Sequence, residues 1–275
     1  MSIIEAIVLG LVQGLTEFIP VSSTAHLEIV PVILGWGDPG AAFSAVVQFG
    51  TLFAALIYFA KDIIRLIAGF FRGLASRRPL ADTDSREAWL VILGTIPIGI
   101  LGLLLKKYIE STFRGLWVIT TMVIVVAVLL QIAEVYARKR QLRAFEDMTV
   151  SDGVAIGIGQ CLALIPGSSR SGSTIMAALF RRIDRPTAAR YSFLLSIPAV
   201  GAAGMLELIH ERSHLAELGW TPIIVSIAVA FISGYASIWF LIRYLRTHTT
   251  TVFIYYRYAL GAVMIAMLVS GYLSS

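Results

Sequence analysis

Two short stretches hold most of the side chains in this sequence that are equipped for chemistry. The first, Gln13-Gly-Leu-Thr-Glu-Phe-Ile-Pro-Val-Ser-Ser-Thr-Ala-His26, sets a carboxylate, several hydroxyls and an imidazole inside an otherwise apolar N-terminal region. The second, Gln160-Cys-Leu-Ala-Leu-Ile-Pro-Gly-Ser-Ser-Arg-Ser-Gly-Ser-Thr174, sets one arginine among serines and glycines. Aligning Pro20 with Pro166 superposes Ile19 on Ile165, Ser22 on Ser168 and Ser23 on Ser169. Each stretch reads as an apolar helix stopped by proline, followed by a Ser-rich turn that can open a new helix. Polar clusters flanked by such apolar sequence are costly and mark functional sites by default.

The residue types define what these stretches can do. Gln13 and Glu17 are four apart and share a helix face. A carboxylate beside an amide carbonyl suits a hard divalent cation, Mg²⁺ or Ca²⁺; the plainer alternative is a glutamate paired with a basic residue. Ser22, Ser23 and Thr24 occupy positions suited to a helix N-cap, where free backbone N–H groups bind phosphate. Ser23 and Ser22 lie three and four residues before His26, so either hydroxyl can meet the imidazole as a nucleophile meets its base. The plainer alternative there is a capping serine and a structural histidine. In Pro166-Gly-Ser-Ser-Arg-Ser-Gly-Ser-Thr174, glycines let the backbone close on a ligand, hydroxyls donate, and Arg170 can grip a phosphate with two N–H groups. Arg257 lies among Tyr255, Tyr256 and Tyr258 in the last apolar segment, where snorkelling competes with a site role. Arg190 reads as an interface anchor, and His210, His214 and His248 receive no role.

The elements that must position these groups belong to a membrane. Hydrophobic residues make up 57% of the chain and charged residues 14%, with a mean hydropathy of +0.83. These values indicate an all-α, polytopic integral membrane protein with one membrane domain, 1–275. The net charge of +5 comes from basic residues between apolar segments, which is loop bias and excludes a nucleic-acid partner. The single Cys161 excludes an intramolecular disulfide framework. Glu5 inside the first apolar run, with no basic start, leads us to expect no cleaved leader.

Six segments are long enough to span: about 41–60, 88–105, 116–133, 186–209, 220–242 and 250–273. Residues 1–34 and 152–180 are also apolar, but proline and polar residues interrupt each midway. Re-entrant helical hairpins keep their broken backbone inside protein, so two such hairpins are expected beside the six spans. Most of the 22 Lys and Arg then fall in 61–87, 138–150, 181–185 and 243–246, all on one side. That bias puts those loops in the cytoplasm and opens the first motif to the outside. Ala42-Phe-Ser44 and Arg190-Tyr-Ser192 follow their prolines at similar distances. A hairpin plus three spans, twice, gives two inverted-topology repeats, about 1–140 and 150–275, with a site at their interface.

Gln13-Gly-Leu-Thr-Glu17, Pro20-Val-Ser-Ser-Thr-Ala-His26 and Pro166-Gly-Ser-Ser-Arg-Ser-Gly172 resemble the motifs of the bacterial undecaprenyl-diphosphate phosphatases, the bacitracin-resistance family. The likeness extends over nearly the whole chain. It implies a metal-dependent phosphatase of the inner (plasma) membrane that removes one phosphate from the polyprenyl diphosphate carrier of cell-wall synthesis, with its active site facing the periplasm. By that resemblance Glu17, Ser23, His26 and Arg170 are catalytic. Ser22, Thr24, Ser169, Ser171, Thr174 and Arg257 contact phosphate, and Gln13 and Glu17 hold the divalent cation. The expected partners are the lipid substrate, membrane lipids and a second copy of the chain in a homodimer. Gln13 stands where the family's motif begins with an acid, leaving one negative charge fewer, and Ala25 stands where glycine is frequent. The alternative function is a polyprenyl-phosphate flippase or transporter, since inverted repeats with broken helices also build transporters.

Overall fold

The apolar runs of the sequence fold as helices, and the two polar stretches fall where helices break. A computed structural model describes residues 1–37, 40–80, 82–110, 112–210 and 219–273. In chain order the helices are α1 (Ile3–Phe18), α2 (Ser23–Ile33), α3 (Gly40–Tyr58), α4 (Ala60–Ala75), α5 (Thr83–Leu104), α6 (Lys106–Glu110), α7 (Leu116–Arg138), α8 (Val150–Gln160), α9 (Arg170–Phe180), α10 (Arg185–His210), α11 (Trp220–Leu245) and α12 (Thr251–Val269). By length and composition α5, α7, α11, α12 and the Arg185–Leu206 part of α10 can each cross a membrane. A sixth crossing arises if α3 and α4, bent 71° from one another, count as one span.

That bend corrects one expectation. The region from 61 was read as the start of a polar loop, but Ala60–Ala75 is helical. Lys61, Asp62, Arg65 and Arg72 give α4 a polar side, while Leu66 packs inward and Ile64, Ile67 and Phe71 stay exposed. Its Gly69 and Gly73 lie against Asp84 and Ser85 at the start of α5. The strong amphipathic period, not overall hydropathy, makes this helix.

The two broken stretches form helix–turn–helix hairpins, α1–α2 and α8–α9. The start of α8 and the end of α9 meet, because Asp152 in the first turn of α8 takes the Nε of Arg181 at 2.7 Å. Each hairpin's second helix begins with a serine cap in the left-handed region, Ser22 (φ 75°) and Ser169 (φ 66°). Serine without a glycine's freedom pays for that conformation with strain on the order of 1 kcal/mol or more. The caps revise the alignment made on the prolines. Ser22 is equivalent to Ser169, not Ser168, so Ser23 matches Arg170 and His26 matches Ser173.

Each hairpin leans on the other half of the chain. The first helix, α1, packs along α11, where a Cβ on Gly14 would sit 2.7 Å from the carbonyl oxygen of Ala230. The helix α8 packs along α5, where a Cβ on Gly157 would sit 2.4 Å from the carbonyl oxygen of Gly94. Small residues at both crossings bring the backbones together, as membrane helix packing requires.

The opposite end of the molecule gathers the basic loops that the sequence assigned to one side. Arg65 pairs with Asp84 and Glu87, and Arg190 with Asp62. Arg86 donates to the carbonyl of Glu146. Arg143 and Arg181 share the fully buried Asp152, while Arg185 holds the buried Glu134, which also accepts from Thr250. Arg190 is thus an ion-pair partner with its guanidinium over Phe145, more than a bare interface anchor. Arg212 and His214 lie outside the described residues.

Candidate active site

The N-terminal ends of α2 and α9 face one pocket of about 200 Å³. Glu17, Ser22, Ser23, Thr24, Ser169 and Arg170 all line it, bringing together six of the site residues expected from sequence. Two helix starts supply unpaired backbone N–H groups and the positive ends of two helix dipoles to a single cavity. Gln48 of α3 also lines the pocket; it sits in an ordinary apolar span and carried no motif.

Glu17 is the hub. Its Oε2 accepts from the Ser23 hydroxyl at 2.8 Å and from the Gln13 amide at 3.0 Å, and its Oε1 accepts from Arg170 at 3.1 Å. The two charged side chains are only 9% and 10% exposed, so this pair joining the hairpins is little screened by water. Arg170 also donates to the carbonyl of Ser192 at 3.1 Å, while its Nε is buried and unpartnered. Ser192 stood out in the sequence only as a marker of repetition, and its carbonyl now orients the arginine.

His26 lies elsewhere than the Ser–His expectation put it. Its Nδ1 is 2.7 Å from the carbonyl of Ser22, which can only accept, so Nδ1 carries a proton. Its Nε2 then accepts from the Tyr256 hydroxyl at 2.6 Å, and the two rings stack at an interplanar angle of 9°. Both ring nitrogens are used, and the Ser23 hydroxyl points to Glu17 instead. Spacing of three on a helix put Ser23 and His26 on one face, but the cap geometry turns them to different partners. Tyr256 was passed over in the sequence because it stood in a run of tyrosines.

Three other residues expected to contact phosphate are bonded to framework groups. Arg257 is fully buried and lines no part of the pocket. Its Nε donates to Val123 at 3.0 Å, Nη1 to Pro20 at 3.4 Å, and Nη2 to Met122 at 3.2 Å and Gly167 at 3.0 Å, all backbone carbonyls. One guanidinium therefore ties the turns of both hairpins to α7. Gly167 (φ 92°) allows that approach, because a Cβ there would lie 2.3 Å from the carbonyl oxygen of Ile119. Thr174 is fully buried, 2.9 Å from the Arg170 carbonyl and 2.5 Å from the Ser192 hydroxyl. Ser171 is fully buried within 3.1 Å of the Ser169 hydroxyl and 3.4 Å of the Ile19 carbonyl, joining the second hairpin to the first.

The oxygen donors fit a divalent cation sparingly. Gln13 is fully buried and its Oε1 has no hydrogen-bond partner, which leaves one amide oxygen near the Glu17 carboxylate. Among the described residues no group of three His, Cys, Asp or Glu side chains could enclose a metal alone. Such a cation would take its remaining ligands from a phosphate, as Mg²⁺ commonly does.

Comparison with known proteins bears on what this pocket serves. The family profile described as "Bacitracin resistance protein BacA" matches residues 6–263. An "Undecaprenyl-diphosphatase" of Myxococcus xanthus (strain DK1622) is 54% identical over 274 residues, covering 100% of this chain and 92% of the relative. Proteins with the same name are 50% identical in Chlorobium phaeobacteroides (strain BS1), with 100% of both chains covered, and 47% identical in Chlorobaculum tepidum, with 99% of each covered. Matching end to end, and with the paired serine-capped turns inside the matched region, the chain belongs to the bacitracin resistance protein BacA family.

Proposed function

We infer that the protein hydrolyses undecaprenyl diphosphate to undecaprenyl phosphate and inorganic phosphate, which returns the lipid carrier to peptidoglycan synthesis and confers bacitracin resistance. The observation that carries this reading is the junction of Glu17, Ser23 and Arg170 at two helix N-termini in one pocket. Relatives at about half identity bear the name of this activity.

Ser23 is the nucleophile and Glu17 its base, because the two oxygens lie 2.8 Å apart, within proton-transfer reach. Ser23 Oγ bonds to the terminal phosphorus as the bond from that phosphorus to the bridging oxygen breaks. Glu17 passes the serine proton to the departing lipid monophosphate. It then takes a proton from the water that hydrolyses the phosphoserine and returns it to Ser23. Arg170 and the backbone N–H groups of α2 and α9 take up charge on the phosphoryl oxygens, where most catalysis of such transfers arises. His26, held between Ser22 and Tyr256, keeps the α2 turn in shape.

A divalent cation, Mg²⁺ or Ca²⁺, held by Gln13 Oε1, Glu17 and the diphosphate would neutralise substrate charge when bound. Gln13→Glu then lowers the cation concentration for half-maximal activity, and Glu17→Gln raises it or abolishes activity. A metal titration unchanged in both variants assigns the cation to the diphosphate alone.

In the bilayer, each hairpin enters and returns on its own side, the two from opposite faces, since 11-residue helices such as α2, α8 and α9 reach only about 16 Å of a core roughly 30 Å thick. The crossed packing of α1 on α11 and α8 on α5 supports two inverted repeats. The ion-paired basic end lies in the cytoplasm of the inner membrane by the positive-inside bias, and the pocket opens to the periplasm. The exposed apolar faces are those a bilayer covers and none stands out as a subunit interface, so the homodimer gains no support. Phosphate release from undecaprenyl diphosphate by pure protein in detergent tests the reading. A flippase, which needs two membrane faces, would release none.

A further inference from the structure

The pocket has two unlike walls. Glu17, Ser23 and Arg170 lie on one, and Ile98, Leu164, Ala199, Val200 and Ala203 on the other. The apolar wall is made largely by α5 and α10, whose separation changes along their length. At Gly94 they are tightly packed: a Cβ there would lie 2.6 Å from the Tyr191 hydroxyl and 2.9 Å from Leu195 Cδ2. Each helix then passes a proline, Pro97 in α5 and Pro198 in α10. Beyond it, nearer the same face of α5, a Cβ on Gly102 meets only Leu164 Cδ2 at 3.5 Å. On α10, Ala202 and Ala203 are exposed at this level. Ala203 therefore belongs both to the pocket lining and to the outer surface of an apolar helix, which in a membrane faces lipid.

Resting on the hydrolase reading above, we propose that the prenyl tail of the substrate leaves the pocket sideways into the bilayer. It passes through the gap between α5 and α10 bounded by Ile98, Gly102, Ala199 and Ala203. A charged diphosphate has its donors at the helix N-termini, while an apolar tail has no favourable contact on that polar wall and must follow the other. Small side chains at 102, 199 and 203 keep the gap passable, and Ile98, Leu164 and Val200 give the first prenyl units apolar surface. A second apolar cavity, about 260 Å³ beneath α4, is no part of this route. Its α10 lining residues, Leu194, Ile197 and Pro198, stand on the helix face opposite Ala199 and Ala203.

Ala203→Trp, Gly102→Leu and Ile67→Trp test the route, the last filling the cavity beneath α4. Each is assayed as pure protein on undecaprenyl diphosphate and on isopentenyl diphosphate, which has the same head group on one prenyl unit. Ala203→Trp and Gly102→Leu are expected to raise KM or lower kcat/KM for the long substrate by about tenfold or more, and for the short one by less than about twofold. Ile67→Trp is expected to change neither. Preserved hydrolysis of the short substrate also certifies the fold. Equal losses on both substrates, no loss on either, or a selective loss in Ile67→Trp instead would each overturn the route. Wild-type protein inactive on the long substrate would overturn the hydrolase reading beneath it.

Discussion

The hairpins α1–α2 and α8–α9 share a backbone and divide the chemistry between them. Counted from the left-handed caps Ser22 and Ser169, glutamine stands nine residues before in both, as Gln13 and Gln160. Five before the cap, Glu17 faces its counterpart Leu164; one after, Ser23 faces Arg170; four after, His26 faces Ser173. In the proposed mechanism one hairpin thus brings the acid and nucleophile, the other the guanidinium that receives phosphate. Gln160 and the Ser173 hydroxyl are buried without partners, whereas Gln13 bonds to Glu17 and His26 to Ser22 and Tyr256. A backbone device used twice need carry catalytic groups only once each, provided something fixes the two turns together. Arg257 does this through carbonyls of Pro20 and Gly167.

The comparison predicts unequal effects. The largest falls on the proposed nucleophile: Ser23→Ala is expected to lower kcat by roughly 10³-fold or more, and retention of more than about a tenth would remove that role. Arg170→Lys keeps the charge and loses the fork, so kcat/KM should fall by roughly 10²-fold with an unchanged denaturation midpoint.

Arg257→Met should behave differently from Arg170→Lys, because it strands four backbone carbonyls and removes the guanidinium that ties both turns to α7. We expect a stability loss of roughly 3 kcal/mol or more, seen as a lower denaturation midpoint in detergent, with activity lost alongside. A stable but inactive Arg257→Met would return that arginine to the substrate.

The smallest effect lies at the opposite end. Burial raises the Asp152 pKa, but hydrogen bonds from Arg143, Thr149 and Arg181 outweigh it and hold the carboxyl at about 2. A folded-state pKa below the unfolded value gives stability that is present above about pH 4 and lost as pH falls towards 2. Asp152→Asn should therefore flatten the acid limb of the stability profile while leaving kcat near neutral pH within about twofold, since the residue lies outside the pocket. An unchanged acid limb would mean that other carboxylates govern it.

The sequence made the two turns legible because proline, serine and glycine mark breaks wherever they interrupt apolar helices. The side on which the basic loops gather was legible for the same reason: charge is rare here and its placement is informative. The cap register was not, because it depends on which serine accepts the left-handed conformation, and the prolines stand at different distances from that residue. The partners of Arg257 were not legible either, because they are carbonyls from three separate segments that only tertiary packing assembles. The same holds for His26, whose partner Tyr256 lies 230 residues away. Helix α4 was missed because its amphipathic pattern lowers the mean hydropathy on which a span is judged.

The central claim is that the site exists only where the two hairpins meet, with Glu17 of one and Arg170 of the other acting as a unit. A double-mutant cycle on kcat/KM with Glu17→Gln, Arg170→Lys and the combined variant measures that directly. Each single change should cost roughly 10²-fold or more, and the pair little more than the worse single change. Losses that multiply in the double variant would mean the two residues act independently, and would contradict the account.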